Sequence, residues 1–348
     1  MEEISIVEKK ITRRIALRES MNVLGVFLLV VAVVLAIVGF SSKEAGMVIA
    51  GGIVLILAMV MWLVACERIA KKLAVLKEEY RNQTQKYHLE NALTQYGCKR
   101  SHFIPEKGLW KEEVVRAGIF DRDSAMELHS DAYLEGEFEQ KRFRTSNLEM
   151  MQVKPYRPDL IRKMVNGQFW IFTSEIEYPC KLVIFDRKLY QALDHSNKAN
   201  RWCTENAEMK LYTPEDAKLN ERCICFTDHP ERAGYILTGT AVTRIFAYAA
   251  NHPGEVFFIS FNYKEMYFFD YAENQDTNPV LEKEPEDPKK PKKFLSHKDI
   301  LALKQDMQAI DDAAQSRAEK TVTYLTDIMN IFASERINVS RDQTEEFS

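Results

Sequence analysis

The chain has little of what usually announces a reaction. Its 348 residues contain no GxxxxGKS/T or GxGxxG phosphate loop, no HExxH helix and no GxSxG elbow. That removes the backbone cradles, paired imidazoles and strained serine turns through which nucleotide, zinc and acyl chemistry are read. Charge of one sign is missing too: 47 Lys and Arg stand against 51 Asp and Glu, a formal net charge of −4. No global basic field points to nucleic acid. The six cysteines, Cys66, Cys98, Cys180, Cys203, Cys223 and Cys225, follow no even-spaced disulfide framework. In a reducing compartment they read as buried free thiols.

What is present begins with two apolar runs, Met21–Phe40 and Met47–Cys66, separated by a short polar loop carrying Lys43 and Glu44. A helix rising about 1.5 Å per residue crosses a hydrocarbon core of roughly 30 Å in some 20 residues. The runs therefore predict a transmembrane helical hairpin over residues 21–66. Lys9, Lys10, Arg13, Arg14 and Arg18 precede it, and Arg68, Lys71, Lys72, Lys77 and Arg81 follow it. Basic flanks stay inside. The expectation is a multi-pass protein of the bacterial cytoplasmic (inner) membrane, with both termini cytoplasmic and residues 1–20 as a cytoplasmic N-terminal segment. A cleaved signal peptide is the competing reading of the first run, but that run is long for one and lacks a small-residue cleavage pattern.

Residues 67–97 read as a helical neck, because Ile69, Leu73, Leu76, Tyr80, Tyr87 and Leu93 recur at three-to-four-residue steps. Residues 98–272 change to short strands punctuated by turns, a strand-rich mixed α+β cytoplasmic domain. Gln168–Ile176 and Cys180–Phe185 suggest a hairpin across Glu177-Tyr178-Pro179, and Glu255–Phe261 with Glu265–Tyr271 suggest another. Thr238–Asn251 is a helix, with Thr238 as N-cap and His252-Pro253-Gly254 as its stop. A charged Pro-rich linker fills 273–295, a long C-terminal helix 296–333 and a polar tail 334–348.

Few residues invite chemistry. Cys223-Ile224-Cys225 with His229, and Cys203 with His195, raise zinc and nucleophile readings. A CxC in an apolar run instead places both sulfurs on one strand face as core, so no metal is assigned. The acidic stretch through Asp121, Asp123, Glu127, Asp131, Glu135, Glu137 and Glu139 lacks the glycine and spacing of a calcium loop and reads as a solvated face. Arg232 and Arg244 flank a helix start beside Asp228, an arrangement suited to an anion or to internal pairing. With Tyr235 they make the candidate binding set Asp228, Arg232, Tyr235 and Arg244. No catalytic residue and no cofactor is assigned.

The strings AGIF (Ala117–Phe120), LEGEFEQKRFRTSNLEM with Gly136, Phe143 and Ser146, and NGQFWIF with Gly167 and Phe169 resemble a bacterial membrane-anchored family known as domain of unknown function 3137. So does MKLYTPEDAKLNERCICFTDHPERAGYILTGTAVTRI, in which Asp228, Ala233, Tyr235, Leu237, Thr238 and Arg244 fall on the family's signature. Gly234 stands where a basic residue is common, and Gly239 where Pro is common. The resemblance implies an integral inner-membrane protein with a cytoplasmic α+β domain, and it implies no catalytic residues.

The function expected is a membrane-tethered, non-catalytic binding or scaffolding module, meeting a protein partner through its C-terminal helix or sheet surface, with homo-oligomerisation open. The competing readings are a membrane-surface hydrolase or transferase acting near Asp228–Arg244, and a sensor of anionic lipid at the inner leaflet.

Overall fold

Alternating apolar positions over residues 99–272 build one antiparallel sheet. The structure, a computed structural model, describes residues 2–41, 45–119, 126–154, 157–174, 177–193, 209–272 and 297–332. Asp121 and Asp123, His195 and Cys203, the linker 273–295 and the tail 334–348 lie outside the described residues. The strands are β1 (Lys99–Ile104), β2 (Met126–Phe138), β3 (Lys141–Lys154), β4 (Arg157–Thr173), β5 (Lys181–Asp186), β6 (Lys210–Tyr212), β7 (Cys223–Thr227), β8 (Glu255–Asn262) and β9 (Glu265–Ala272). The helices are α1 (Glu2–Ser41), α2 (Ala45–Gln95), α3 (Lys111–Arg116), α4 (Arg187–Ala192), α5 (Ala217–Arg222), α6 (Pro230–Ile236), α7 (Gly239–Asn251) and α8 (His297–Phe332). The class is α+β.

The chain divides into two units, Met1–His88 with Glu286–Ser316, and Leu89–Pro285 with Arg317–Ser348. In the first unit Val7, Ile11 and Ile15 step along one stripe of α1 and bury against Leu73, Tyr80 and Met307. Lys77 pairs with Asp306 at 3.0 Å, and His88 Nε2 meets Asp311 Oδ1 at 2.9 Å.

The apolar runs lie in this unit, and here the sequence expectation fails. Each run is only one part of a far longer helix that also carries charge, α1 its five N-terminal cations and α2 the whole 67–95 segment. Among the described residues no helix is long and apolar enough to cross a membrane. That overturns the transmembrane hairpin over 21–66, the integral-membrane reading and the multi-pass inner-membrane location. The apolar side chains of these segments are nonetheless exposed: Val23, Val26, Phe27, Val30 and Ile37 on α1, and Ile49, Ile53, Ile56, Met59 and Leu63 on α2. Gly25 backs the indole of Trp62, where an added Cβ would approach Cδ1 to 2.9 Å.

The second unit holds the sheet, in the order β1-β2-β3-β4-β9-β8-β5-β7-β6. Period-2 alternation sends Trp170, Phe172, Ile184, Cys225, Phe257, Ile259 and Phe268 to one face, under α6, α7 and the end of α8. Phe169, Ile171, Val183, Phe185, Phe226, Phe258 and Phe269 go to the other, under α3 and α4. Both faces are therefore covered, so the strands read as near-continuous apolar runs.

The hairpin β8–β9 turns at Tyr263-Lys264, with Tyr263 at φ 52°. Between β2 and β3, Glu139 and Gln140 both take positive φ (48° and 66°), as a two-residue type I′ turn requires. The expected pairing of Gln168–Ile176 with Cys180–Phe185 does not occur. β4 pairs with β3 and β9, while β5 pairs with β7 and β8. The hairpin β8–β9 inserts between them, β9 pairing with β4 and β8 with β5.

Gly167 makes that insertion close: a Cβ there would sit 1.7 Å from the carbonyl oxygen of Asp270. Gly136 leaves room for the ring of its cross-strand partner Phe143.

Candidate functional site

The four residues singled out in the sequence stand at one end of the sheet. Asp228 follows β7, where its Oδ1 accepts the Lys181 N–H at 2.9 Å and its Oδ2 accepts the Tyr263 hydroxyl at 3.2 Å. It ties the start of β5 to the β8–β9 turn. Arg232 lies exposed in the first turn of α6, its N–H donating to the His229 carbonyl at 2.9 Å. Tyr235 is exposed on the same short helix. Arg244 leaves α7 in another direction and donates from Nη1 to the carbonyl of Asn330 at 3.0 Å. Lys141 Nζ donates to the Phe332 carbonyl at 3.2 Å. Two cations thus serve the last turn of α8, where carbonyls lack helical partners and the dipole is negative. Among the described contacts none joins Asp228, Arg232, Tyr235 and Arg244 to one another.

The thiols behave as core. Cys223 and Cys225 are buried on one face of β7. Burial pushes the Cys225 thiol up to about 12 and raises Cys223 as well, so neither is a ready thiolate. Burial likewise lifts Cys98 and Cys180 to about 11. Among the described residues no group of three or more His, Cys, Asp or Glu side chains is disposed to hold a metal ion.

A different polar constellation appears where α7 and α8 cover the start of β8 and the end of β9. Glu255 accepts the hydroxyl of Tyr248 at 3.3 Å, and it accepts the hydroxyl of Tyr324. His252, just past the end of α7, is stacked between these tyrosines, with ring centroids 4.5 Å from Tyr248 and 4.6 Å from Tyr324. Its Nε2 meets Asp327 Oδ2 at 2.9 Å and its Nδ1 lies 3.6 Å from Glu255 Oε2.

Asp270 is buried on the same face, and its Oδ1 has no hydrogen-bond partner. Burial first, and Glu255 second, push its carboxyl well above the ordinary carboxylate range. Burial there disfavours the charged form of the carboxyl. Burial and the surrounding acids raise Tyr248 and Tyr324 too. Asp270 closes a cross-strand polar row, Asp131–Asn147–Gln168–Asp270, in which Asn147 Nδ2 donates to Asp131 Oδ1 at 2.8 Å.

Sequence reasoning missed this cluster because its members are spread over α7, β8, β9 and α8 and each looks ordinary alone. The available signal was Asp270 inside the aromatic run MYFFDY, a charge on a strand position whose i−2 and i−4 neighbours are core.

No family model matches the chain, and no curated protein matches it. Among solved structures, the crystal structure of the mycobacterial trehalose monomycolate transport factor A is similar at 8% identity, covering 54% of this chain and 82% of that one, with a TM-score of 0.29.

Proposed function

We propose that the chain is a non-catalytic binding or scaffolding module that engages a protein partner through an apolar helical surface. The observation that carries this reading is the pair of exposed apolar segments on α1 and α2, where Val23, Phe27, Ile37, Ile49, Ile53 and Ile56 each leave half or more of their surface open. Large apolar side chains left open in such number mark an interaction site. The hydrolase or transferase reading loses support, because Asp228 is spent on Lys181 and Tyr263, and Arg244 on the end of α8. The resemblance to domain of unknown function 3137 belongs to this reading, and its Gly136 and Gly167 serve strand packing rather than chemistry.

The test is co-purification of the full chain after cross-linking in cells, with Val23→Ser/Phe27→Ser/Ile53→Ser as the matched variant. A stoichiometric protein partner, lost in the variant while the sheet unit keeps its unfolding midpoint, is the expected result. Recovery of the chain alone, only with itself, or with lipid and no protein overturns the reading.

A further inference from the structure

We infer that the open edge of β4 over residues 157–166 is a strand-addition site for an extended acidic segment of a protein partner. The site lies in the sheet unit and is separate from the helical surface assigned above. β3 pairs with one side of β4 from Arg142↔Thr173 to Lys154↔Arg157. β9 pairs with the other side only from Gly167 to Thr173. Among the described residues no strand continues that second pairing, so residues 157–166 keep one edge open. A strand edge presents backbone N–H and C=O groups in a row, and an extended peptide satisfies them by joining the sheet.

The outer edges of the sheet offer less. β6 is a three-residue strand, and in β1 the Phe103 N–H is already taken by Glu90 Oε1 at 3.1 Å. On β4 the register against β3 is unbroken from Val165 to Thr173, so a strand added beside residues 157–166 follows the line of β9.

Charge selects the occupant. Arg157, Arg162 and Lys163 stand against the single acid Asp159 along this edge. Opposite charges on paired strands attract and like charges repel. A second copy of β4 would bring cations onto cations, whereas an acidic strand meets its complement. Two further features act against self-pairing. Pro158 has no N–H to give, and the register against β3 shifts between Met150 and Met151 and again between Val153 and Lys154. Proline, lysine and bulges are the devices by which an edge is kept from its own kind.

Hydrogen exchange of the full chain with two synthetic peptides tests the site. One peptide alternates valine and threonine around two glutamates; the other has lysine in place of each glutamate. At about 1 mM, the acidic peptide is expected to slow exchange within residues 157–166 and to leave β1 and β6 unchanged. Its affinity is expected to exceed that of the lysine peptide about tenfold. Arg162→Glu/Lys163→Glu is expected to reverse the order. Should that variant fail to fold, salt at about 1 M must erase the preference in the native chain. No slowing within 157–166, equal affinity for the two peptides, or a preference that survives the variant or the salt overturns the inference. So does slowing that follows chain concentration without peptide, which assigns the edge to a second copy.

Discussion

The hairpin β8–β9 carries a glutamate near each end, and the two are held in opposite ways. Glu265, on the face under α3, receives Arg144 Nη2 at 3.4 Å, Arg116 Nη1 at 3.3 Å and the hydroxyl of Tyr267. Arg144 also pairs with Glu113 of α3. Glu255, on the face under α7 and α8, receives two tyrosine hydroxyls and the edge of a histidine, with Asp270 and Asp327 nearby. The two side chains are equally shielded, 20% and 21% exposed. Burial therefore does not distinguish them; partner chemistry does. Guanidinium keeps its charge at any pH a protein survives, so the Glu265 cluster is a permanent tie. The described hydrogen bonds to Glu255 come instead from tyrosine hydroxyls, which bring no fixed positive charge.

The comparison can be broken or sharpened by substitution. The largest effect is expected from Gly167→Ala, whose Cβ would meet the Asp270 carbonyl and push β4 from β9, disturbing both clusters at once. A loss of about 4 kcal/mol or more in urea unfolding is expected. Arg144→Met should come next, leaving Glu113 and Glu265 short of a cation at a cost of about 3 kcal/mol. It should leave exchange of residues 317–332 untouched.

Tyr324→Phe removes one donor from the carboxylate of Glu255 and should cost about 1.5 kcal/mol, with faster exchange confined to α8. Asp270→Asn should act with the other sign. The folded carboxyl is raised above its unfolded value, so the folded state holds a proton that the unfolded chain releases above pH about 4. Stability in the native chain then falls as pH rises through that window. Asn stays neutral, so the slope should vanish and neutral-pH stability rise by on the order of 1 kcal/mol. The smallest effect is Arg244→Ala, about 0.5 kcal/mol at the last turn of α8, read as fraying of residues 330–332.

Periodicity made several elements legible. Thr238 caps α7 through an Ala241 N–H at 3.2 Å, and the turn after β8 lies at Tyr263-Lys264 as its neighbours suggest. Both are local patterns, set within one helix turn or one hairpin. The pairing of β5 with β8 rather than with β4 was not legible, since no local feature of CKLVIF names a partner 73 to 81 residues onward, from Phe185↔Phe258 to Lys181↔Asn262. The apolar runs over 21–66 suggested a membrane hairpin because residue type was read without the longer helices that contain them. At the candidate site, Asp228 and Arg244 were visible as polar residues around one helix start, and they proved to bond to separate elements. His252 was visible only as part of a helix stop. Its neighbours Glu255 and Asp327 meet it through the fold, from strand and closing helix respectively.

The most direct test of the contrast between the two clusters is hydrogen exchange of the full chain with Arg144→Met and Tyr324→Phe measured side by side. The account predicts that Tyr324→Phe speeds exchange of residues 317–332, while Arg144→Met loosens α3 and leaves 317–332 unchanged. Faster exchange of 317–332 in Arg144→Met, or an equal response to both substitutions, would contradict it.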